Sequence, residues 1–144
     1  MIRILYKLAD GLRHRARLRR WNPEHASGRR GEDLAHRFLQ DQGLRVVARN
    51  YRTRSGDGEI DLVAWDGDTL AFVEVKSRKT GDHGTPDRAV DREKQHALIR
   101  TARDYARRGG VEWTRTRFDV VNVVFGDTPA IWHIKDAFPR GQAL

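Results

Sequence analysis

The stretch Gly58-Glu59-Ile60-Asp61-Leu62-Val63-Ala64-Trp65-Asp66-Gly67-Asp68-Thr69-Leu70-Ala71-Phe72-Val73-Glu74-Val75-Lys76 reads as two strands joined by a turn, because β-branched and aromatic residues flank Asp-Gly-Asp. Side chains alternate across a strand. Glu59, Asp61, Val63 and Trp65 then share one face, against Ile60, Leu62 and Ala64. In the next strand Leu70, Phe72, Glu74 and Lys76 share a face, against Ala71, Val73 and Val75. If Trp65 pairs with Leu70, Asp61 stands opposite Glu74 and Glu59 opposite Lys76. If the turn is Asp66-Gly67 alone, Glu59 falls opposite Glu74 and Asp61 opposite Phe72. Paired residues project to the same side, so either register collects three carboxylates and one ammonium on one patch.

Working outward, Leu44 to Arg52 carries Val46, Val47 and Tyr51 and reads as a strand, with Arg54 to Gly58 as a turn. Before it, Leu34, Ala35, Phe38 and Leu39 recur at helical spacing over 28–42. Ser27 is the expected N-cap and Gly43 the stop. Downstream, residues 79–86 lack periodicity and hold two glycines and a proline, the composition of a loop. The spacing of Val90, Ala97, Leu98, Ala102, Tyr105 and Ala106 predicts a helix from Asp87 to Arg108, ended by Gly109-Gly110. Phe118 to Phe125 is a β-branched run expected of a strand buried on both faces, and Ala130 to Ile134 a shorter last strand. The order αβββαβ plus a final strand predicts an α/β fold, a mixed sheet flanked by helices.

The chain has 144 residues, net charge +8, 38% apolar residues and no cysteine. That length fits one domain, and the lack of cysteine excludes disulfides, thiol nucleophiles and thiolate zinc sites. The longest apolar runs are a few residues around Asn122, too short to span a bilayer, which predicts a soluble, cytoplasmic protein. Residues 1–30 carry +7 and the remaining 114 only +1, so the basicity lies in an N-terminal arm. Pro23 with Ser27-Gly28 marks the boundary between an arm, 1–26, and a single domain, 27–144. Such an arm contacts phosphates, lies on an anionic membrane or solubilises the chain. Arg3, Lys7 and Asp10 interrupt the apolar core that a secretory signal needs.

Three like charges on one patch repel and require a cation. Lys76 supplies one charge, and an all-oxygen set suits Mg²⁺ or Mn²⁺ for the excess. Lys76 beside such an ion would orient or deprotonate a water, which points to metal-assisted hydrolysis of a phosphodiester. The plainer reading is an exposed Glu-x-Lys face with cross-strand ion pairs. The apolar neighbours of Asp61 and Glu74 argue instead for interior strands, where unpaired charge is costly.

Four blocks in order, Gly28-Arg-Arg-Gly31-Glu32-Asp-Leu-Ala35, Ala48-Arg-Asn50-Tyr-Arg52, Gly58-Glu-Ile-Asp61-Leu-Val and Phe72-Val-Glu74-Val-Lys76-Ser-Arg78, resemble the YraN family of small bacterial proteins. That family is similar to Holliday-junction resolvases of the PD-(D/E)XK nuclease superfamily, and the resemblance spans about residues 28 to 138. It implies a restriction-endonuclease-like core. It also implies that Asp61, Glu74 and Lys76 form the D…ExK signature, that Asp61 and Glu74 hold the metal with the Val75 carbonyl, and that Lys76 serves the water. Glu32 matches an extra acidic residue aimed at the same metal. Lys94 and Gln95 resemble a further motif facing the cleft. The Ser55-Gly-Asp57-Gly58 approach is slightly longer than usual.

Glu32 near a helix start is equally explained by the helix dipole, and Lys94 by a solvated charged face. Arg52, Arg54, Arg78 and Lys79 flank the acidic patch and are placed to grip phosphates, or are ordinary strand-end residues. The six histidines show no metal-ligand spacing, and only His83, in the loop, draws interest. Trp65, Trp113 and Trp132 read as core, although an exposed one would stack on an unpaired base. Taken together, these features predict a Mg²⁺- or Mn²⁺-dependent endonuclease acting on DNA, branched or repair intermediates included. The competing class is a non-catalytic nucleic-acid-binding module acting through partners in repair, and a weaker third is an arm-anchored protein at a membrane. A homodimer fits resolvase-like relatives.

Overall fold

In the computed structural model, residues 23–79 and 90–141 are described. The basic residues 1–22, the predicted loop with His83 and the expected helix start at Asp87 lie outside them. The elements run α1 (Pro23–Asp41), β1 (Arg45–Arg52), β2 (Glu59–Asp66), β3 (Thr69–Lys79), α2 (Arg92–Gly109), a 3-10 turn (Trp113–Arg115), β4 (Thr116–Phe125) and β5 (Ala130–Phe138). The strands form one five-stranded sheet in the order β1-β2-β3-β4-β5. All neighbours are antiparallel except β3 and β4, which α2 connects as a parallel pair. The result is an α/β fold, a mixed sheet with a helix on each face, consistent with a restriction-endonuclease-like core. No helix among the described residues is long and apolar enough to cross a membrane.

Two apolar clusters fill the layers. Leu98, Ala102 and Ala106 of α2 pack on Ile60, Val63, Leu70, Phe72, Phe118 and Val120. Ala35 and Leu39 of α1 pack on Leu62, Ala64, Ala71, Val73, Val121 and Val123. The alternation in β3 and β4 sends one set of side chains to each helix, which is why both strands lack a polar face.

Two helix starts differ from expectation. α1 begins at Pro23, so Ser27 lies within it. Proline suits a first turn, whose N–H groups have no helical partner. α2 begins later than the apolar spacing implied, because Asp91 accepts the Lys94 N–H at 2.8 Å and caps it. Val90 is buried but precedes the helix. Gly110 at φ 67° closes α2 as expected.

The β2–β3 hairpin takes the register that pairs Trp65 with Leu70 and continues to Asp66 with Thr69, leaving Gly67-Asp68 as the turn. Gly67 has φ 58°, the left-handed conformation that two-residue hairpin turns demand. The Asp66-Gly67 alternative is thereby excluded. The ladder runs from Asp66 with Thr69 to Leu62 with Val73, one step before Asp61 would meet Glu74.

Candidate metal centre

The alternation of β2 fails at one place. Ile60 packs on the α2 side with Val63, whereas Leu62 and Ala64 pack on the α1 side. The expected face shared by Ile60, Leu62 and Ala64 is therefore split at Asp61. The partner strand carries the matching irregularity. Arg49 pairs with Leu62 and Tyr51 with Ile60, and Asn50, between them, has φ 51°. Asparagine tolerates this left-handed conformation better than most residues. The kink at Asn50 and Asp61 lets side chains from both helical layers meet at one end of the sheet.

Into this gap Asp61 directs a carboxylate that accepts the Val75 N–H at 2.8 Å. Glu32, Glu59 and Asp61 each offer an oxygen, and these oxygens lie within 4.8 Å of one another. Glu32 comes from the middle of α1, well past its first turn, so the helix dipole does not account for it. It is held instead by β1. The Asn50 Nδ2 donates to Glu32 Oε2 at 3.0 Å, and Arg49 approaches the same oxygen at 3.6 Å while pairing with Asp33 at 2.7 Å. Gly58, just before Glu59, sits so close to α2 that an added Cβ would lie 3.1 Å from the Ala97 carbonyl and from the Thr101 hydroxyl. Only glycine lets the chain approach the site by this route without pushing α2 away.

Glu74 reaches the same neighbourhood from the α2 side. It is 7% exposed, and the Lys94 ammonium holds it at 2.5 Å. Burial pushes the Asp61 carboxyl well above the usual carboxylate range, and the charges of Glu74, Glu32 and then Glu59 add to that push, against the Val75 N–H. Burial depresses the Lys94 ammonium, but Glu74 outweighs it and raises Lys94 above its ordinary value. Three carboxylates thus converge within reach of one ion, with Glu74 beside them. Every donor is oxygen, so a hard divalent cation fits the set.

The residues expected at the site divide in the structure. Asp61 and Glu32 meet directly, joined by Glu59, which shared the predicted patch but was not assigned as a ligand. Glu74 lies beside them and Val75 bonds Asp61 through its N–H. Lys76 is half-buried on β3, aligned with Asn122 of β4. Arg52 is largely exposed and binds Glu59 through its Nε at 2.8 Å and also through Nη2. Arg54 and Lys79 are exposed at the ends of their segments, and Arg78 donates to Asn122 Oδ1 at 3.3 Å. Gln95 turns from the cleft to the Val90 carbonyl, at 2.6 Å. Asn50 and Arg49 were not foreseen as site residues; the signal available was an Arg-Asn pair inside a strand, where asparagine is disfavoured unless it has a special conformation. Trp132, expected in the core, is instead 40% exposed on the edge strand β5.

A cleft of about 650 Å³ opens next to Glu59, lined by Asp57, Asp91, Lys94, His96 and Arg100 among others. Asp57, in the lengthened approach to β2, pairs with Arg100 at 3.1 Å and so ties that turn to α2.

Comparison with known sequences places these residues in context. The family described as "Uncharacterised protein family UPF0102" matches residues 31–123, a span that holds Glu32, Asn50, Glu59, Asp61, Glu74 and Lys76. A UPF0102 protein of Solibacter usitatus is 54% identical over 138 residues, covering 96% of this chain and 100% of the relative. One from Koribacter versatilis is 47% identical over 118 residues, covering 81% and 82%, and one from Rhodococcus jostii is 45% identical over 115, covering 78% and 96%.

Proposed function

Because this chain belongs to the UPF0102, or YraN, family, we propose that it is a Mg²⁺- or Mn²⁺-dependent endonuclease that hydrolyses DNA phosphodiesters, branched or repair intermediates among them. The observation that carries this reading is the meeting of Glu32, Glu59 and Asp61 within 4.8 Å, drawn from α1 and β2 by the kink at Asn50.

In this reading Asp61, Glu32 and Glu59 hold the cation, with Glu74 and the Val75 carbonyl on the β3 side. A divalent ion there supplies Lewis-acid polarisation of the phosphate and neutralises charge that develops on it. Asn50 and Arg49 orient Glu32, as groups behind a ligand commonly do. Lys76 orients the attacking water and stabilises charge on the phosphate. Lys94, paired with Glu74 at 2.5 Å, would compete with a cation for that carboxylate and could serve a neighbouring phosphate oxygen when one is bound. Arg54, Arg78 and Lys79 hold the strand by its phosphates, and binding weakens steeply with salt.

The test is a panel of labelled single-stranded, duplex, flap and four-way junction DNAs incubated with Mn²⁺ or Mg²⁺, comparing the protein with Lys76→Ala. Cleavage that needs the metal and falls with Lys76→Ala supports the reading; no cleavage of any substrate together with no calorimetric Mn²⁺ binding removes it. Binding without cleavage would favour a non-catalytic module.

Two further outcomes follow from the same geometry. At a Mn²⁺ concentration of 100 times Kd, the folded protein gains about 2.7 kcal/mol. The melting temperature is then expected to rise by roughly 5–10 °C and to fall back with EDTA. Lys94→Gln removes the competing ammonium from Glu74, so calorimetry of Mn²⁺ on the free protein should show several-fold tighter binding. Unchanged or weaker affinity would mean that Glu74 does not serve the cation.

A further inference from the structure

The register across three strands places Lys76 of β3 beside Asn122 of β4 and Asn122 beside Trp132 of β5. Paired residues project to the same side, so this is one row on the α2 face of the sheet, running outward from the Glu74 side of the acidic centre. Neighbouring strands lie about 4.8 Å apart, which sets Trp132 roughly 10 Å from Lys76. Two residues along β3 on the same face, Arg78 donates to Asn122 Oδ1 at 3.3 Å. α2 packs over the other end of this face, on Phe118, Val120 and Phe138, and leaves Trp132 40% exposed.

Asn122 makes the row specific. It is fully buried within the otherwise apolar run of β4, where a valine would pack as its neighbours do. A buried amide is costly unless it is bonded, and here it positions the Arg78 guanidinium over the sheet. The row therefore combines an ammonium, an oriented guanidinium and an exposed indole on one face of the sheet. Cations that follow a phosphate chain next to an aromatic face are what a single nucleic-acid strand requires, since every base has a stacking face while a base inside a duplex does not present one.

We propose that Trp132 is a stacking platform for an unpaired base of a DNA strand whose phosphates lie along Lys76 and Arg78. This rests on the endonuclease reading for the placement of the strand and adds a preference for substrates with a single-stranded segment.

The experiment measures fluorescence anisotropy of labelled oligothymidine and of a blunt duplex of equal length, in EDTA so that nothing is cut, with the full chain, Trp132→Ala and Trp132→Phe. Stacking of one base predicts a loss of roughly tenfold in single-strand affinity for Trp132→Ala, recovery of most of it by Trp132→Phe, and duplex affinity unchanged. An equal loss on both DNAs, or no loss on either, overturns the platform while leaving metal-dependent cleavage to stand. Failure of the unaltered protein to bind either DNA overturns the platform, while the cleavage panel with Mn²⁺ decides the endonuclease reading on its own. If Trp132→Ala instead converts a dimer to a monomer in sedimentation without changing strand affinity, the indole is a contact between two copies of the chain and the platform is wrong.

Discussion

Asp61→Asn is expected to lower metal-dependent cleavage by about 10³-fold or more, because loss of one carboxylate ligand removes several kcal/mol of charge stabilisation. The same variant should remain folded. Asparagine keeps an oxygen that accepts the Val75 N–H, and it removes a charge crowded by Glu74, Glu32 and Glu59. In EDTA it should therefore melt above the unaltered protein. Measured together, the two results separate a functional carboxylate from a structural one: lower cleavage with higher stability supports the metal centre, whereas lower stability would mean that the Asp61 charge is needed to hold β2 to β3. Glu32→Gln should repeat the pattern more weakly, since Asn50 and Arg49 lose a charged partner in exchange.

The second large effect lies at the other end of the sheet. Asp119→Ala is expected to destabilise the protein by about 3–5 kcal/mol, the usual cost of breaking a buried ion pair from one side. Asp119 has no exposed surface and is bound by Arg117 at 2.7 and 2.9 Å, by His133 at 2.8 Å and by the Asp136 N–H at 3.0 Å. Arg117 also reaches Asp66 at 2.9 Å, where Lys135 joins at 3.0 Å. This network fastens β5 to β4 where their register slips and Asp136 adopts φ 54°. Burial would raise the Asp119 carboxyl, but the hydrogen bonds from His133 and Arg117 and the Asp136 amide win and hold it below the usual range.

The sign of the pH dependence follows. A carboxyl depressed in the folded state contributes stability that is present above its unfolded pKa of about 3.9 and is lost as pH falls through the folded value. Thermal melts should show Asp119→Ala as most harmful at neutral pH, with the gap to the unaltered protein closing toward strongly acidic pH. A gap that widens in acid would contradict the assignment.

The existence of the hairpin between Glu59 and Lys76 could be read directly, since its β-branched runs and its Asp-Gly-Asp turn are local signals, whereas the break in alternation at Asp61 could not. The strand ends were less legible: β3 extends to Lys79 and β5 to Phe138. Lys and Asp have weak strand preference, and only pairing with β4 keeps these segments extended. Thr101, on the buried side of α2, was hidden because its hydroxyl returns to the Ala97 carbonyl at 2.8 Å and so behaves as a small apolar residue.

The acidic residues themselves could be picked out from spacing and from family resemblance, but their arrangement could not. Strict alternation placed Asp61 on one patch with Glu59, Glu74 and Lys76; with Asn50 in the left-handed conformation, Asp61 and Glu59 also meet Glu32 of α1. Nothing in local sequence announces that Lys94, twenty residues along the chain, closes on Glu74, or that Asp119 and His133 bind each other.

The division has a physical cause. Sequence by itself determined which segments become helix or strand and the αβββαββ order, because these depend on periodicity and turn chemistry; it narrowed the hairpin to two registers, and the structure chose the one that pairs Trp65 with Leu70. The tertiary structure alone decided which charges meet. Such meetings depend on the packing of α1 and α2 against opposite faces and on a kink shared by two paired strands, and a charge is tolerated there only once its distant partners are in place.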